Sequence, residues 1–463
     1  MPPGHCATPP GGFAPVERFL ACVHCGLCHS ACPTYLALGT EADSPRGRIH
    51  LMRALQEGRL ALDADAVRHL DLCLGCRGCE TACPSGVAYG QLIEAARPWI
   101  EERYRRPWRE RARRRVVVRV LTTRWLLRAL LAPLRLLDRL GVRGQLRPEG
   151  AGTGAGAYSR LGRGARVGGA FRAIARTLAP HASARLAAML DLLPASLAPR
   201  AVLPREPASV DGDAAAPHLH LVPGCVMPEL CGDTVRNTAR VLAVNGWRSS
   251  VPRGVGCCGA LALHAGDRAA ALAAARCTLD ALVAATPAEN APAIVATAAG
   301  CGAMMKSWGE LFADDLARAA AARTVAARVR DATELLAQAP LSPPAALSPR
   351  RVAYHDPCHL AHAQGIREAP RALLAAVPGL ELVGMEDEDL CCGSAGHYNV
   401  LQPVMARTLV ERKVAAIRAS GAELVVTANA GCALQLEAGL RAAGLTIPVR
   451  HLVDVLAEAY AGS

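Results

Sequence analysis

The chain has 463 residues, of which 51% are hydrophobic and only 3% aromatic, so it can form two to four domains with cores of mainly Ala, Leu and Val. Its net charge of +12 would suit a nucleic acid or an anionic membrane, but its cations are almost all arginines, with Lys306 and Lys413 as the only lysines. We attribute much of this bias to genome composition and expect no nucleic-acid partner. The opening MPPGHCATPPGGFAPVERF lacks the basic and apolar regions of a signal peptide, so we expect no export.

Two cysteine runs come first along the chain. Residues 22–33 read CVHCGLCHSACP, and residues 73–84 repeat the arrangement as CLGCRGCETACP. A disulfide framework is typical of short secreted chains, and a zinc site with two C-x2-C pairs would leave cysteines over. The pattern C-x2-C-x2-C-x3-C-P is that of bacterial two-cluster ferredoxins, in which the fourth cysteine of each run binds the other cluster.

This pattern predicts two [4Fe-4S] clusters and divides the eight cysteines between them. The first cluster would be held by Cys22, Cys25, Cys28 and Cys83, and the second by Cys73, Cys76, Cys79 and Cys32. Each run ends at a proline, Pro33 or Pro84, which turns the chain away. Three glycines would let the backbone approach the inorganic sulfides: Gly26, Gly75 and Gly78.

Residues 103–147 concentrate the charge, with fifteen arginines against Glu110 and Asp138. At about 100° per residue, one side of a helix would carry arginines and the other leucines, with a kink expected at Pro133. The arginines are Arg124, Arg128, Arg135 and Arg139, and the leucines are Leu126, Leu127, Leu130, Leu134 and Leu137. Such a helix can lie on an anionic membrane, dock in a partner's groove, or pack on its own protein. No uncharged run of about 18 apolar residues exists, so any membrane contact would be peripheral.

A glycine-rich stretch follows at residues 149–170. Its GAGTGAG resembles a dinucleotide-binding loop, but no apolar strand precedes it and no acidic residue follows at the expected distance. We interpret it as a flexible linker.

The remaining half of the chain contains a second cysteine system, present twice. Corresponding cysteines are offset by 133 residues (Cys225 and Cys358), 134 residues (Cys257 and Cys258 against Cys391 and Cys392) and 131 residues (Cys301 and Cys432). Three similar offsets indicate a duplicated domain of about 120 residues. Cys6, Cys231 and Cys277 have no counterpart and are interpreted as ordinary core or surface residues.

Short β-rich runs end just before four of these cysteines: HLHLV, AIVAT, RVAYH and ELVVT. Alanine-rich helical segments lie between them, which predicts parallel sheets whose strand ends bring four cysteines of each half to one rim. Buried structural thiols are the alternative. Of the nearby histidines His264, His355, His359 and His397, the two that flank Cys358 are the candidates to test.

With these motifs, the chain resembles a family in which a two-cluster ferredoxin module precedes two cysteine-rich "CCG" domains. This family comprises the iron-sulfur subunits of glycolate oxidase, of lactate-oxidising complexes and of anaerobic glycerol-3-phosphate dehydrogenase, with heterodisulfide reductase subunits more distant. The segments TAAGCGAMMKSWGELF, HDPCHLAHAQG, LCCGSAGHYNVLQP and VVTANAGCALQL most resemble the glycolate oxidase subunit.

The resemblance implies a multidomain fold: a small α-helical two-[4Fe-4S] ferredoxin module followed by two duplicated α/β CCG domains. We place the ferredoxin module at 1–100, the basic helix and linker at 101–215, and the CCG domains at 216–343 and 344–463. Heterodisulfide reductase domains with noncubane clusters end in C-x-x-C, where this chain has Met304 and Gln435. Thioether and amide are poor iron ligands, so a further iron-sulfur centre, a redox dithiol and a structural role all stay open for the CCG cysteines.

The resemblance also implies flavoprotein partner subunits, with FAD, that oxidise glycolate to glyoxylate, because this chain shows no flavin or nicotinamide motif. The chain would then relay electrons toward a membrane quinone, without catalytic substrate-binding residues of its own. We expect it in the cytoplasm, peripheral on the inner face of the cytoplasmic membrane. Electron transfer for lactate or glycerol-3-phosphate oxidation, and thiol–disulfide chemistry at the CCG domains, are the alternatives.

Overall fold

A computed structural model of the chain describes residues 12–140, 192–194, 197–204, 216–285 and 292–461. The linker predicted at residues 149–170, and Cys6, lie outside these ranges.

The N-terminal part is helical and carries both cysteine runs in the connections between short helices. Ser44 and Asp63 cap two of these helices, each accepting a hydrogen bond from a backbone N–H of the first turn. Phe19, Met52, Leu92 and Ile93 belong to its buried core. The helices are α1 (Val16–Leu20), α2 (Pro33–Leu38), α3 (Pro45–Gln56), α4 (Ala64–Asp71), α5 (Gly78–Thr81) and α6 (Tyr89–Arg103), with 3-10 turns at Leu27–His29 and Glu41–Asp43.

The basic segment forms two helices, α7 (Trp108–Thr122) and α8 (Arg124–Arg139), rather than one. The interruption falls at Thr123, and α8 continues through Pro133, where a kink was expected. Leu127 and Leu131 pack against Leu230, so α8 lies on its own protein with part of its leucine face.

Three of the four arginines in the α8 row contact Glu229 of the same chain. Arg128 approaches the carboxylate of Glu229 to 3.0 Å and Arg124 to 4.0 Å, while Arg135 donates to the Glu229 backbone carbonyl. Glu229 is buried, and a buried carboxylate needs cationic partners, so the first half of the duplicated region uses part of the arginine row itself.

Within the described ranges, the first half of the duplicated region contains one parallel sheet in the order β2-β1-β3-β4. We call this part, from β1 to the helix after β4, the first CCG half. Its strands are β1 (His218–Val222), β2 (Arg248–Ser250), β3 (Ala293–Ala296) and β4 (Val329–Asp331). Its helices are α9 (Met227–Leu230), α10 (Gly232–Val244), α11 (Ala260–His264), α12 (Arg268–Ala284), α13 (Ala299–Lys306), α14 (Trp308–Leu311), α15 (Ala319–Arg328) and α16 (Ala332–Leu336).

The second CCG half, from β5 to the last helix, repeats the topology with the parallel order β6-β5-β7-β8. Its strands are β5 (Arg350–Tyr354), β6 (Leu380–Val383), β7 (Leu424–Thr427) and β8 (Val449–His451). Its helices are α17 (Cys358–Ala361), α18 (Glu368–Ala375), α19 (Tyr398–Leu401), α20 (Pro403–Ser420), α21 (Ala430–Ala442) and α22 (Leu452–Ala459). The same strand order twice confirms the duplication and the predicted parallel sheets.

Candidate iron-sulfur and cysteine sites

The two N-terminal cysteine runs share a backbone feature around their second cysteine. The residue before the second cysteine has a positive φ in both runs, 58° at His24 and 67° at Gly75, as does the residue after it, 82° at Gly26 and 64° at Arg77. Glycine fits such positions without strain, whereas a residue with a Cβ does so at a cost of roughly 1–2 kcal/mol. Two bulky residues are therefore held in a strained loop conformation, which is common at functional sites.

The first set of predicted cluster ligands surrounds one cavity. Its wall includes Cys22, Cys25, Cys28 and Cys83. Burial, against the effect of backbone hydrogen bonds, raises the pKa of the Cys28 thiol to about 11, so a thiolate there needs a compensating positive charge. Four sulfur donors around a cavity are a suitable ligand set for a [4Fe-4S] cluster.

The second set is more deeply enclosed, with Cys32, Cys73 and Cys79 buried. Burial raises the pKa of Cys79, and the neighbouring Cys76, Cys73 and Cys32 raise it further through their charges, so the four sulfurs lie within electrostatic reach of each other. This arrangement again fits one cluster, and it draws Cys32 from the first run, as the ferredoxin pattern requires.

Arg48 of α3 provides a buried positive charge beside the second set. Its guanidinium donates to the Thr34 hydroxyl at 2.8 Å and lies 3.8 Å from the Cys32 Sγ, and it pairs with Asp43 at 3.3 Å. Burial raises the pKa of Cys73, but the charges of Arg48 and Arg97 outweigh it and leave that pKa below its ordinary value. This part of the chain therefore favours negative charge.

In the first CCG half, the four predicted cysteines come together behind the ends of β1 and β3. Cys257 hydrogen bonds through its side chain to Cys225 and Cys258, which lowers its pKa, and Cys258 bonds in turn to Cys301. The backbone N–H of Gly259 also donates to the Cys257 Sγ, at 3.4 Å. These contacts form a chain of four sulfurs.

The second CCG half brings together the corresponding four. Cys358 and Cys391 lie 4.0 Å apart between their Sγ atoms, and Cys392 hydrogen bonds to both Cys391 and Cys432. Cys76 of the ferredoxin module packs in the same buried cluster as Cys358 and Cys391, and their charges interact. The second predicted cluster site therefore adjoins this CCG half.

The four histidines have different surroundings. A ring nitrogen of His355 lies within 4.8 Å of the sulfurs of Cys392 and Cys432, whereas His359 Nδ1 is 3.5 Å from the Cys358 Sγ. His264 faces Glu94 at 3.7 Å. Burial lowers the pKa of His397 to about 3, so it is neutral.

Met304 and Gln435 stand where the noncubane pattern has a cysteine, and the structure shows what surrounds each of them. The side chain of Gln435 accepts a hydrogen bond from Asn399 at 2.9 Å and donates to the carbonyl of Ala406, so both of its polar atoms are engaged. Met304 is buried within the apolar core. Neither side chain has the surroundings of an iron ligand.

Sequence reasoning missed His362, which joins the ferredoxin module to the second CCG half. Its ring lies 3.0 Å from the Thr81 hydroxyl and 3.0 Å from the Asp389 carbonyl. No periodicity marks such a residue, because its partner is 281 positions away in the sequence.

Family models match both parts of the chain. A model described as a 4Fe-4S dicluster domain matches residues 18–87, and one described as a cysteine-rich domain, CCG, matches residues 220–306 and 352–437. These matches confirm the predicted fold, with a ferredoxin-like helical part followed by a repeated CCG domain.

Curated relatives match almost the whole chain. A probable glycolate oxidase iron-sulfur subunit of Bacillus subtilis is 34% identical over 96% of this chain and 94% of its own length. The glycolate oxidase iron-sulfur subunit of Escherichia coli is 35% identical over 95% and 93%. Lactate utilization protein A of Shouchella clausii is 31% identical over 48% of this chain and 90% of its own. The chain therefore belongs to the family of glycolate oxidase iron-sulfur subunits.

Proposed function

We propose that this chain is the electron-transfer subunit of a flavoprotein complex that oxidises glycolate to glyoxylate. The observation that carries the proposal is the convergence of two four-cysteine sets in one helical module, with the second set against the second CCG half. Cys22, Cys25, Cys28 and Cys83 would hold one [4Fe-4S] cluster, and Cys73, Cys76, Cys79 and Cys32 the other. When bound, such clusters supply one-electron redox centres.

The surface around Cys25 suits a flavoprotein partner. Cys25 is exposed, and Val23 and Leu27 on either side of it are 66% and 58% exposed. Exposed apolar side chains beside a redox site favour a docking surface, because covering them removes apolar area from water. We infer that the FAD-containing oxidase subunits dock here and deliver electrons to the first cysteine set.

The opposite end of the ferredoxin module suggests the direction of transfer. Cys76 lies against Cys358 and Cys391 and is enclosed by Leu74, Tyr398 and Met405. Enclosure excludes water, so few solvent dipoles have to reorient when an electron moves. We infer that electrons leave the second cysteine set toward the second CCG half.

Contact with a membrane surface, on the way to the quinone pool, is the remaining part of the proposal. No helix of the described residues combines the length and apolarity needed to cross a bilayer. Helix α8 nevertheless exposes Trp125, Leu136 and Leu140, which fall within an arc of about 60° at 100° per residue. This exposed face, bordered on one side by Arg128 and Arg139, supports a peripheral position on an anionic inner leaflet.

The experiment is anaerobic purification of the tagged chain with its partners from its own host, followed by single additions of glycolate, D-lactate, L-lactate and glycerol 3-phosphate. Bleaching of the cluster absorbance and a reduced-cluster EPR signal with glycolate alone supports the proposal. Bleaching only by lactate or by glycerol 3-phosphate reassigns the substrate. If dithionite reduces the clusters but no substrate does, thiol–disulfide chemistry at Cys358 and Cys391 becomes the better hypothesis.

A further inference from the structure

His355 is a buried histidine whose ring nitrogens complete no hydrogen bond among the described residues. It has no exposed surface, and the backbone carbonyl of Glu388 interacts with its ring without forming a full hydrogen bond. Leaving a buried polar atom unpaired costs about 1–3 kcal/mol. The neutral form of an imidazole ring has a free lone pair on one nitrogen, which makes histidine a common metal ligand.

The lone pair has suitable neighbours. A ring nitrogen of His355 and the Sγ atoms of Cys392 and Cys432 all lie within 4.8 Å of one another. Zinc bonds of about 2.0–2.3 Å to nitrogen and sulfur place tetrahedral ligand atoms roughly 3.5–3.8 Å apart. A small movement of these side chains would therefore enclose one ion, whereas a cluster of several irons needs wider spacing between its ligands.

A fourth ligand and a balancing charge are also present. Cys391 is buried and its side chain interacts with that of Cys392, its neighbour in the sequence. Its sulfur lies outside the group of three ligand atoms and would have to move toward them to bind the ion. Lys413, buried at 2% exposure, lies within electrostatic reach of Cys391, Cys392 and His355. Zinc with three thiolates and a neutral imidazole has a net charge of −1 (2 − 3), which the ammonium of Lys413 would neutralise.

The first CCG half lacks this arrangement. His355 stands three residues before Cys358, and the residue three before Cys225 is the buried Val222. The two halves share a topology and a cysteine pattern. The difference between His355 and Val222 therefore gives them different sets of possible metal ligands. Among the residues that the structure describes, the second half alone combines a nitrogen ligand with its cysteines at this place.

We propose that the second CCG half holds one zinc ion through His355, Cys392 and Cys432, with Cys391 as the fourth ligand. The site would join the end of β5, the Cys391–Cys392 loop and the start of α21. It leaves Cys358 free beside Cys76. This inference does not depend on the substrate. Because zinc has no redox chemistry, electrons that leave the second cysteine set would pass this site without residing on it.

The test is metal analysis of the full chain, purified with its partners under anaerobic conditions. We expect about one zinc per chain beside the eight irons and eight sulfides of two [4Fe-4S] clusters. His355→Ala should lower zinc at least fivefold and leave iron unchanged, and His355→Cys, which restores a ligand, should keep the zinc. Val222→Ala at the matching position of the first half is the control and should change neither metal.

The iron content of each variant reports whether the ferredoxin module has folded, so a loss of zinc alone is specific. Cobalt substituted for zinc should show thiolate-to-cobalt charge-transfer bands that shift in His355→Cys. A wild-type chain without zinc, or full zinc in His355→Ala, would overturn the inference. Iron and sulfide above eight per chain that fall in His355→Ala would also overturn it, in favour of a further cluster.

Discussion

The hydroxyl of Tyr398 donates a hydrogen bond of 2.9 Å to the backbone carbonyl of Leu72, the residue before the second cysteine run. The two residues are 326 positions apart, so the bond ties α19 of the second CCG half to the loop that carries Cys73. The ring of Tyr398 packs beside Leu74 and Cys391 in the same buried cluster. This contact fixes the second cluster site against its neighbour.

We expect Tyr398→Phe to loosen this junction. The change leaves the half-buried Leu72 carbonyl without this hydrogen bond, which should lower the free energy of unfolding by about 0.5–1.5 kcal/mol. The measurement is the guanidinium concentration at which half of the iron is released. Tyr104→Phe is the control, because the Tyr104 hydroxyl has no hydrogen bond to another described residue; equal shifts in both variants would contradict the prediction.

The sequence predicted those strands that have a recognisable local sequence pattern. The four β-rich runs are strands β1, β3, β5 and β7, which lie in the middle of the two sheets, where apolar residues are continuous. The strands that pattern did not predict, such as β2 and β4, have three residues each and lie at the sheet edges. They are too short to show a period and depend on pairing with the central strands.

The cysteine groups could also be predicted only where a signal lies along the sequence. Spacing grouped the eight ferredoxin cysteines, and similar offsets grouped the CCG cysteines, because both signals lie along the sequence. Contacts between distant segments leave no such trace, as for Cys76 against Cys358, Arg48 beside Cys32, and Glu229 under α8. Arginine spacing on α8 likewise could not show that a buried carboxylate stands opposite.

Removing Arg48 should lower the reduction potential of the second cluster. A positive charge near Cys32 and Cys73 stabilises the reduced, more negative state, so Arg48→Met should shift the potential down by at least tens of millivolts. It also leaves the buried Asp43 with one cation fewer, at a cost of about 3–5 kcal/mol. An EPR-monitored redox titration measures the potential, and Arg53→Met, a solvent-accessible arginine of the same helix, is the control. A shift of equal size in the control would show that the local charge of Arg48 is not the cause.

Glu229 should hold α8 on the protein. Glu229→Gln removes the buried negative charge that faces Arg124 and Arg128, so we expect α8 to detach and trypsin to cleave within it at least several times faster. Asp233→Asn is the control, because Asp233 is exposed and pairs only with Arg236 among the described cations. Unchanged cleavage in Glu229→Gln would mean that Leu127 and Leu131 suffice to hold the helix.

The apolar surface at Cys25 should be needed for the partner subunits. Val23→Asp with Leu27→Asp places two charges where we expect an apolar interface, so co-purification of the flavin subunits should fall at least tenfold. Iron content should stay constant, because both side chains point to solvent. Leu316→Asp, at a 92% exposed position in the first CCG half, controls for the effect of added charge on solubility. Full retention of the flavin subunits would move their docking surface elsewhere.

The buried carboxyl group of Asp331 should make the stability of the folded chain depend on pH. It caps α16 by accepting hydrogen bonds from the backbone N–H and the hydroxyl of Thr333, at 2.9 and 2.7 Å. Burial raises its pKa from 3.8 to about 6, so the folded state holds the proton more tightly than the unfolded chain. The stability that this proton contributes is complete below about pH 4 and is lost as the pH rises through 6.

Asp331→Asn keeps an acceptor for the cap and removes the buried charge. We expect the variant to gain about 1–1.5 kcal/mol of stability relative to the wild type as the pH rises from 5 to 7.5. Thermal unfolding midpoints of both proteins across this range measure the difference. Asp63→Asn, an exposed helix cap in the ferredoxin module, is the matched control. A gain at Asp331 that does not grow with pH would show that the buried carboxylate is not the source of the pH dependence.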